Sequence, residues 1–290
     1  TKTLFLMRKM ALVIQGGTLR SIFTAGVLDG FMSLRFFPFH YMAGVSGGAM
    51  CLSYYITRQR KCAYDILINI FNDADFISWK NIFSEEGMIN LDYLISYAKQ
   101  NHPTDLKRFR RFSKNRLIEI VTTSYYTGKP IYIVPNTQNV FDVIKASSTL
   151  PFLTKGIQIV DDNIKLLDGG WSDPIPVRRA ISLGYKEIVV IRTYPKEHRE
   201  NWTYMSKFGS YWHKNNPDLS NLFDTDYEIY NEVADFLEKD HSPIKIHQII
   251  PEDYLATTSY STNKKKLQID YRYGFELGVE MALKLKRRIF

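Results

Sequence analysis

This chain has little cysteine and no long apolar segment, and each absence excludes a class of protein. Its 290 residues include only two cysteines, Cys51 and Cys62, with no metal-ligand spacing around them. We therefore expect no disulfide framework and no zinc site, and a reducing, cytoplasmic location. No apolar run approaches the ~20 residues that span a bilayer. The first residues do not resemble a secretory signal, because Arg8 and Lys9 interrupt their apolar stretch.

The sequence also lacks the glycine patterns that bind nucleotides. Residues 15–21 read Gln-Gly-Gly-Thr-Leu-Arg-Ser, which is not G-x-G-x-x-G, and no G-K-[ST] motif is present. Zinc-finger and RNP signatures are absent as well. We therefore expect no metal, no cofactor and no nucleic-acid partner.

The composition is that of a globular protein with a positive net charge. Hydrophobic residues make up 45% and charged residues 23%, and the formal net charge is +8. A positive balance favours negatively charged partners. The densest basic cluster, residues 107–116, has two interpretations. It is either a solvated face or, because Phe109 and Phe112 are interleaved with it, a surface for peripheral contact with anionic membranes.

Short apolar runs alternate with helical patterns in the first sixty residues. Residues 10–14 and 40–45 have the character of buried strands. Each is followed by a glycine-containing loop and then by apolar residues at helical spacing, beginning at Ile22 and at Ala49. Two strand–loop–helix units predict a parallel sheet flanked by helices.

Further elements follow with less regularity. The patterns predict hairpins joining 117–123 to 130–134 and 157–160 to 164–167, a helix over 174–183, strands over 187–191 and 244–250, and a closing helix from Leu267 to Leu285. Residues 60–115 and 196–262 show no clear period. We expect one domain of residues 1–290, with a motif-bearing core at about 10–195 and a C-terminal extension and closing helix over 196–290. The oligomeric state is not predicted.

The segment Gly44-Val45-Ser46-Gly47-Gly48 matches the pattern G-x-S-x-G. This pattern suits a nucleophile, because the flanking glycines let neighbouring backbones approach a serine on a tight strand-to-helix turn. The Gly47 N–H is placed to be one oxyanion donor, and the loop Gly16-Gly17-Thr18 can supply others beside a helix N-terminus. Because both loops follow strands predicted to be parallel neighbours, they are expected to converge.

A serine nucleophile also needs a base, and the residues leave two interpretations open. Asp168, followed by Gly169 and Gly170, ends an extended run and can reach a site at close backbone range, although Asp-Gly pairs are common in plain turns. The alternative is a histidine-dependent α/β-hydrolase triad, in which a histidine follows the aspartate. The candidates are His198, His213, His241 and His247. His247 lies in an apolar strand pattern and is expected in the core or at a sheet edge.

Taken together, these segments resemble the patatin-like phospholipase family. The family has a loop of the form G-G-G-x-R-G, a G-x-S-x-G elbow and a D-G-G or D-G-A aspartate. This chain has Gly16-Gly17-Thr18-Leu19-Arg20-Ser21, the elbow at 44–48 and Asp168-Gly169-Gly170, in the family's order. The flanks 145–151 and 173–177 also match, and the resemblance covers about residues 10–195.

The resemblance implies a three-layer α/β/α sandwich with a mainly parallel central sheet. It also implies a serine esterase or lipid acyl hydrolase, similar to a phospholipase A or a lysophospholipase, that acts on a lipid or acyl-ester substrate without metal. Ser46 and Asp168 would form a catalytic dyad that works through an acyl-enzyme. The implied oxyanion hole is formed by N–H groups of Gly16, Gly17, Thr18 and Gly47. The implied supporting residues are Arg20, Gly44, Gly48, Gly169 and Gly170.

Two departures from the family pattern suggest a second interpretation. Thr18 stands where the family has its third glycine, and Ser21 stands where a glycine follows the arginine. A Cβ at position 18 disfavours the backbone angles that turn an N–H inward, and each lost oxyanion donor costs ~10²–10³ in rate. The alternative is a catalytically weakened relative that acts as a lipid-binding or regulatory module.

Overall fold

A computed structural model describes residues 9–71, 73, 75–78, 87–151, 153–154, 158–160, 164–260 and 262–289. In these residues eight strands form one sheet. The strands are β1 (Met10–Ile14), β2 (Phe39–Val45), β3 (Leu117–Ser124), β4 (Pro130–Ile133), β5 (Gln158–Val160), β6 (Ile164–Asp168), β7 (Glu187–Ile191) and β8 (Lys245–Ile249). The helices are α1 (Ser21–Ser33), α2 (Gly47–Ile56), α3 (Cys62–Ile70), α4 (Leu91–Asn101), α5 (Leu106–Ser113), α6 (Val140–Ser147), α7 (Val177–Ser182), α8 (Tyr204–Trp212), α9 (Pro217–Leu237) and α10 (Lys264–Ile289).

The sheet is mainly parallel, as predicted. Its order is β5-β6-β3-β2-β1-β7-β8, with β4 paired to β3. The strands β2, β1, β7 and β8 run parallel to β3, whereas β4 and β6 are antiparallel to it. Both predicted hairpins are present, although the turn at 161–163 lies outside the described residues. His247 lies on the edge strand β8, as expected.

Apolar side chains alternate between the two faces of the central strands and so produce three layers. Leu12 and Ile14 of β1 face a core shared with α1 and α2. Ala11 and Val13 face a second core shared with α7 and α9. Because a strand sends successive side chains to opposite faces, an uninterrupted apolar strand needs helices on both sides.

Helices α1 and α10 cross with their backbones in direct contact. A Cβ built on Gly30 would lie 2.6 Å from the Phe275 carbonyl oxygen, and Gly26 and Gly274 are equally crowded by the opposite backbone. Glycine is required at such a crossing because no side chain fits between the two helices. The closing helix is thereby fixed against the helix that follows the first glycine loop.

The structure corrects the bounds of one predicted helix and shows what the two irregular stretches contain. The helix predicted over 174–183 begins only at Val177, because Pro174 and Pro176 disfavour helical backbone in the residues before them. The stretch 60–115, expected to be helical in places, contains α3, α4 and α5, and the stretch 196–262, which has no clear period, contains α8 and the 21-residue α9. The signal for α9 was present in Asn216 followed by Pro217, an N-cap followed by a proline at the first helical position.

The structure also corrects the membrane interpretation of the basic cluster at 107–116, most of which lies in α5. Phe109 and Phe112 are only 2% and 6% exposed and belong to the core, so they do not offer an apolar surface to a membrane. The reason is the helical period of α5, which turns both rings inward. The basic side chains of Lys107, Arg110 and Arg111 remain exposed on the outer face.

Candidate active site

Ser46 occupies a strained turn between β2 and α2. Its φ of 52° and ψ of −129° lie in a region that non-glycine residues rarely adopt. The Ser46 N–H donates to Ser147 Oγ at 2.8 Å, and Ser147 Oγ in turn donates to the Val121 carbonyl at 2.6 Å. The turn also depends on Gly48, whose Cβ, if present, would lie 2.6 Å from the Gln15 carbonyl oxygen. These contacts hold the elbow in its conformation.

Asp168 meets Ser46 because of the strand register. Strand β2 pairs with β3 as far as Val45 opposite Val121, and β6, running in the opposite direction, pairs with β3 until Asp168 lies opposite Thr122. The ends of β2 and β6 therefore meet at adjacent positions of β3. The Ser46 hydroxyl therefore lies beside the Asp168 carboxyl group, where it favours the ionised form of that group.

Asp168 is buried, and hydrogen bonds fix both its side chain and its backbone. Its Oδ1 accepts a hydrogen bond from the Gly170 N–H at 2.7 Å, its backbone N–H donates to the Thr149 carbonyl at 2.8 Å, and its own carbonyl accepts from Thr123 Oγ1 at 2.8 Å. Burial raises the pKa of Asp168 to about 7, while the hydrogen bonds from Gly170 and Ser46 act in the opposite direction. A carboxylate with this pKa is a far better proton acceptor than an exposed aspartate.

The loop before α1 lies directly against Ser46. A Cβ built on Gly16 would be 3.0 Å from the Ser46 Cβ. The loop is tied to the end of β7, because Gln15 Oε1 accepts from the Thr193 N–H at 3.0 Å and Thr193 Oγ1 donates to the Gly16 carbonyl at 3.1 Å. The first glycine loop and the serine elbow therefore converge as expected.

Thr18 does adopt the backbone conformation that its Cβ was expected to disfavour. Its φ is 49°, in the left-handed region that a β-branched residue rarely enters. Within the described part of the chain, nothing accepts a hydrogen bond from the N–H groups of Gly17, Thr18 or Gly47. These are the groups available to an anion beside Ser46.

Arg20 joins this loop to the C-terminal part of the chain. Its Nη1 donates to Ser259 Oγ, and its guanidinium carbon lies 3.8 Å from the centre of the Tyr194 ring. Ser21, which stands where the family has a glycine after the arginine, is fully buried, and its hydroxyl has no hydrogen-bond partner among the described residues. Arg20 therefore links the loop before α1 to segments more than 170 residues away in sequence.

Two cavities open on either side of Ser46. A narrow apolar pocket of about 40 Å³ contains Ser46, Gly47 and Thr18 at one end. The rest of its wall is largely apolar: Leu19, Met50, Leu67, Phe76, Ile89, Leu91, Leu94, Ile95, Ile144 and Leu150. A wider cavity of about 390 Å³ contains both Ser46 and Asp168, and its wall includes charged groups of Arg20, Glu200 and Asp226.

Most of the predicted site residues line the wider cavity. Gly16, Gly17, Thr18, Arg20 and Gly170 line it together with the serine and the aspartate. The other predicted residues, Gly44, Gly47, Gly48 and Gly169, do not line it. Gly47 faces the apolar pocket instead, and Gly169 packs against the backbone of Val121.

Comparison with known proteins agrees with this geometry. The sequence matches the family model described as patatin-like phospholipase over residues 12–181, which is more than half of the chain. The chain belongs to the patatin-like phospholipase family. A second family model, described as a domain of unknown function (DUF6363), matches residues 216–289.

Relatives of this patatin-like chain extend over most of its length. It is 31% identical over 277 residues to an Escherichia coli (strain K12) protein described as uncharacterized protein YjjU, covering 92% of this chain and 75% of that protein. The crystal structure of VipD from Legionella pneumophila matches with a TM-score of 0.50 at 11% identity, covering 96% of this chain and 67% of that one. The second likeness concerns the fold alone.

No histidine accompanies the serine of this patatin-like site. All six histidines lie in the described part of the chain, and none of them lines either cavity at Ser46. His198, for example, stacks on Tyr194 and contacts the Tyr254 hydroxyl. The described residues also contain no cluster of three or more His, Cys, Asp or Glu side chains suited to a metal ion.

Sequence reasoning missed the residues that hold this patatin-like site in position. Ser147 anchors the elbow, Thr193 anchors the glycine loop, and Tyr194 and Ser259 contact Arg20. Ser147 lies in the flank that supported the family resemblance, but its partner in the elbow is 101 positions away. Only the fold reveals such contacts.

Proposed function

We propose that this protein is a serine esterase, a lipid acyl hydrolase of the phospholipase A or lysophospholipase type, with Ser46 and Asp168 as its catalytic dyad. One observation carries the proposal: a serine on a strained elbow lines the same cavity as a buried aspartate whose pKa is raised to about 7. A lone turn serine would need neither the strain nor the buried carboxyl group.

The reaction follows from the positions of these groups. Ser46 Oγ attacks the ester carbonyl carbon, and its proton passes to the Asp168 carboxylate. The carbonyl oxygen becomes an oxyanion, which the N–H groups of the loop 16–18 and of Gly47 stabilise. The intermediate then collapses, the carbon–oxygen bond to the alcohol breaks, and Asp168 returns the proton to the departing alcohol. Water, deprotonated by Asp168, releases the fatty acid from Ser46.

The two cavities suit the two halves of such an ester. The apolar pocket offers aliphatic side chains such as Met50 and Ile95 to an acyl chain. The wider cavity offers charged and hydroxyl groups to the alcohol part. Because the two cavities share Ser46, an ester spanning them places its carbonyl at the nucleophile.

The test is labelling with a fluorophosphonate, followed by mass spectrometry of the modified peptide. We expect labelling of the wild type at Ser46 and its loss in Ser46→Ala and Asp168→Asn. Ser53→Ala is the matched control, because Ser53 of α2 is also buried and its hydroxyl donates to the Met50 carbonyl within the same helix. Labelling elsewhere than Ser46, or equal labelling of Asp168→Asn, contradicts the dyad.

A second function is favoured by the strained Thr18 and the buried Ser21 hydroxyl. Both stand at positions where the family has glycine, so the oxyanion loop can be weakened in this chain. In that case the protein acts as a lipid-binding or regulatory module. A folded wild type that resists labelling, while Thr18→Gly accepts it, supports this alternative.

Three further features of the proposal follow from the sequence. The cytoplasmic location, the action without metal or cofactor and the lack of a nucleic-acid partner stay predictions. In the part of the chain that the structure describes, no helix combines the length and apolarity needed to cross a bilayer.

A further inference from the structure

The helix α8 carries a surface of exposed aromatic side chains. Tyr204, Tyr211 and Trp212 are 84%, 68% and 64% exposed, and Phe208 and the preceding Trp202 are each 47% exposed. Lys207 and Lys214 are exposed among them. We name this group the α8 surface: Trp202, Tyr204, Lys207, Phe208, Tyr211, Trp212 and Lys214.

The period of α8 explains why these rings face outward. Ser206 and Gly209 form its buried side, and a Cβ built on Gly209 would lie 3.0 Å from the Phe223 ring of α9. The aromatic residues at 204, 208, 211 and 212 therefore fall on the opposite side, at helical spacing. With small residues inward and large rings outward, α8 keeps five aromatic side chains, counting the preceding Trp202, about half exposed or more. Contiguous exposed patches of this kind mark interaction sites.

The side chains of the α8 surface have the chemistry of a membrane interface. Trp and Tyr rings concentrate at the level of lipid head groups, where an apolar body and a polar tip are both satisfied. The Lys207 ammonium lies 4.4 Å from the centre of the Trp202 ring, and the Lys214 ammonium lies 5.2 Å from that of Tyr211. Cations held over interfacial rings complement anionic head groups, and the surface contains no acidic residue.

The same helix borders the cavity of the nucleophile. Thr203 and Ser206 line the wider cavity with Ser46 and Asp168. Thr203 also caps α8, because its Oγ1 accepts from the Ser206 N–H at 3.0 Å. One side of the segment 203–212 thus belongs to the cavity wall and the other carries the exposed rings.

We propose that the α8 surface docks this protein on a lipid bilayer containing anionic lipid, beside the mouth of the Ser46 cavity. The inference rests on the proposed function, since it supplies lipid esters to that site. The membrane contact is thus assigned to the α8 surface, whose aromatic side chains are exposed. It is not assigned to residues 107–116, whose two phenylalanines are buried.

The test is flotation of the full chain carrying Ser46→Ala, so that no lipid is hydrolysed, with vesicles of phosphatidylglycerol and phosphatidylcholine at a ratio of about 1:3. The test variant is Tyr204→Ser with Tyr211→Ser and Trp212→Ser. The matched control is Ile269→Ser with Leu283→Ser, because these are exposed apolar residues of α10, on the opposite layer. A second control replaces Arg110 and Arg111 of α5 by Gln.

We expect the test variant to bind at least about tenfold more weakly and both controls to bind within about twofold of the parent. Replacing Lys207 and Lys214 by Gln is expected to weaken binding about fivefold per lysine on anionic vesicles and little on phosphatidylcholine alone. Equal binding of the test variant and the parent overturns the proposal, and so does an equal loss in the α10 control.

Two measurements separate this proposal from its rivals. With Ser46 restored, the test variant is expected to hydrolyse a water-soluble short-chain ester at the wild-type rate, which shows that the fold and site are intact. Light scattering gives the mass of both proteins, and conversion of a dimer into a monomer by the test variant overturns the proposal in favour of a second copy. If the wild type hydrolyses no ester, the proposed function fails, whereas the flotation experiment still tests whether the α8 surface binds the bilayer.

Discussion

The two cavities at Ser46 differ in chemistry and in the part of the chain that builds them. Among the described residues, those that line the apolar pocket all fall between Thr18 and Leu150, inside the segment that matches the family. The wider cavity takes Tyr194, Glu200, Asp226, Tyr230 and other residues from beyond that segment. On the proposed function, the shared part of the fold supplies the reaction and the acyl side. The C-terminal part supplies the alcohol side.

The largest effect is expected at Asp168, the proposed base, which lines the wider cavity together with the serine that both cavities share. Asp168→Asn is expected to lower kcat/KM for a soluble ester by at least about 10³, because the amide cannot take the serine proton. In the wild type, kcat/KM is expected to rise as pH increases through about 7, where Asp168 loses its proton. A flat profile between pH 5 and 9, or activity of Asp168→Asn within tenfold of wild type, contradicts the assignment.

The same substitution is expected to stabilise the fold. Burial raises the pKa of Asp168 to about 7, so between its usual value and 7 the folded state binds more protons than the unfolded state. Stability therefore falls as pH rises through this window, because ionising the buried group costs free energy. Asp168→Asn removes that cost, and its advantage is expected to grow by roughly 1–4 kcal/mol from pH 4 to pH 8. Urea unfolding at both pH values measures it.

A change confined to the apolar pocket is expected to alter acyl-chain preference alone. Ile95→Trp fills space along α4, at a stability cost of about 1–3 kcal/mol. We expect kcat/KM for an octanoyl ester to fall about tenfold and that for the acetyl ester to stay within threefold, because only the longer chain reaches the pocket wall. Equal losses for both esters would indicate damage to the dyad instead.

A change confined to the wider cavity is expected to alter preference for the alcohol part by a smaller factor. Asp226 faces this cavity, and burial raises its pKa to about 6. Asp226→Asn is expected to reduce the preference for a choline ester over a neutral ester about threefold to tenfold. In the wild type this preference is expected to fade as pH drops below about 6, where the carboxylate gains a proton.

The matched control for this change is Asp224→Asn. Asp224 also accepts a hydrogen bond from a serine, Ser210 Oγ at 2.8 Å, but it does not line the wider cavity. Its substitution is expected to leave the choline preference unchanged. An equal effect of the two substitutions would place the selectivity outside the cavity.

The smallest effect is expected at Thr18. Thr18→Gly relieves a left-handed backbone at a β-branched residue, so stability is expected to rise by about 1 kcal/mol in thermal unfolding. Activity is expected to stay within about threefold, because the loop already has the required conformation. Arg35→Gly is the control, since Arg35 has a φ of 50° away from both cavities, and a similar gain is expected there.

The features that could be predicted from the sequence are those that depend on residues close together in the chain. The elbow at Ser46 and the loop at Gly16 depend on glycines within a few positions, and the main strands show as short apolar runs. The meeting of Ser46 with Asp168 depends on how β6 pairs with β3, which no local pattern contains. The aspartate could be placed in the site only through the family resemblance.

The C-terminal part could not be derived in the same way. The seven buried side chains of α9 recur at helical spacing, but Asp226 interrupts them where the helix faces the wider cavity. The contact of Arg20 with Ser259 joins residues 239 positions apart. The organisation as one domain stays a prediction, and the pairing of β8 with β7 in the common sheet supports it.

The crossing of α1 and α10 has a consequence for how this protein is made. Gly26 and Gly30 of α1 leave the ribosome early, whereas the backbone that packs against them belongs to α10, near the other end of the sequence. At typical elongation rates of about 5–20 residues per second, the groove of α1 waits roughly 10–50 s for its partner helix. During that interval the nascent chain presents an apolar helix whose covering partner has not yet been synthesised.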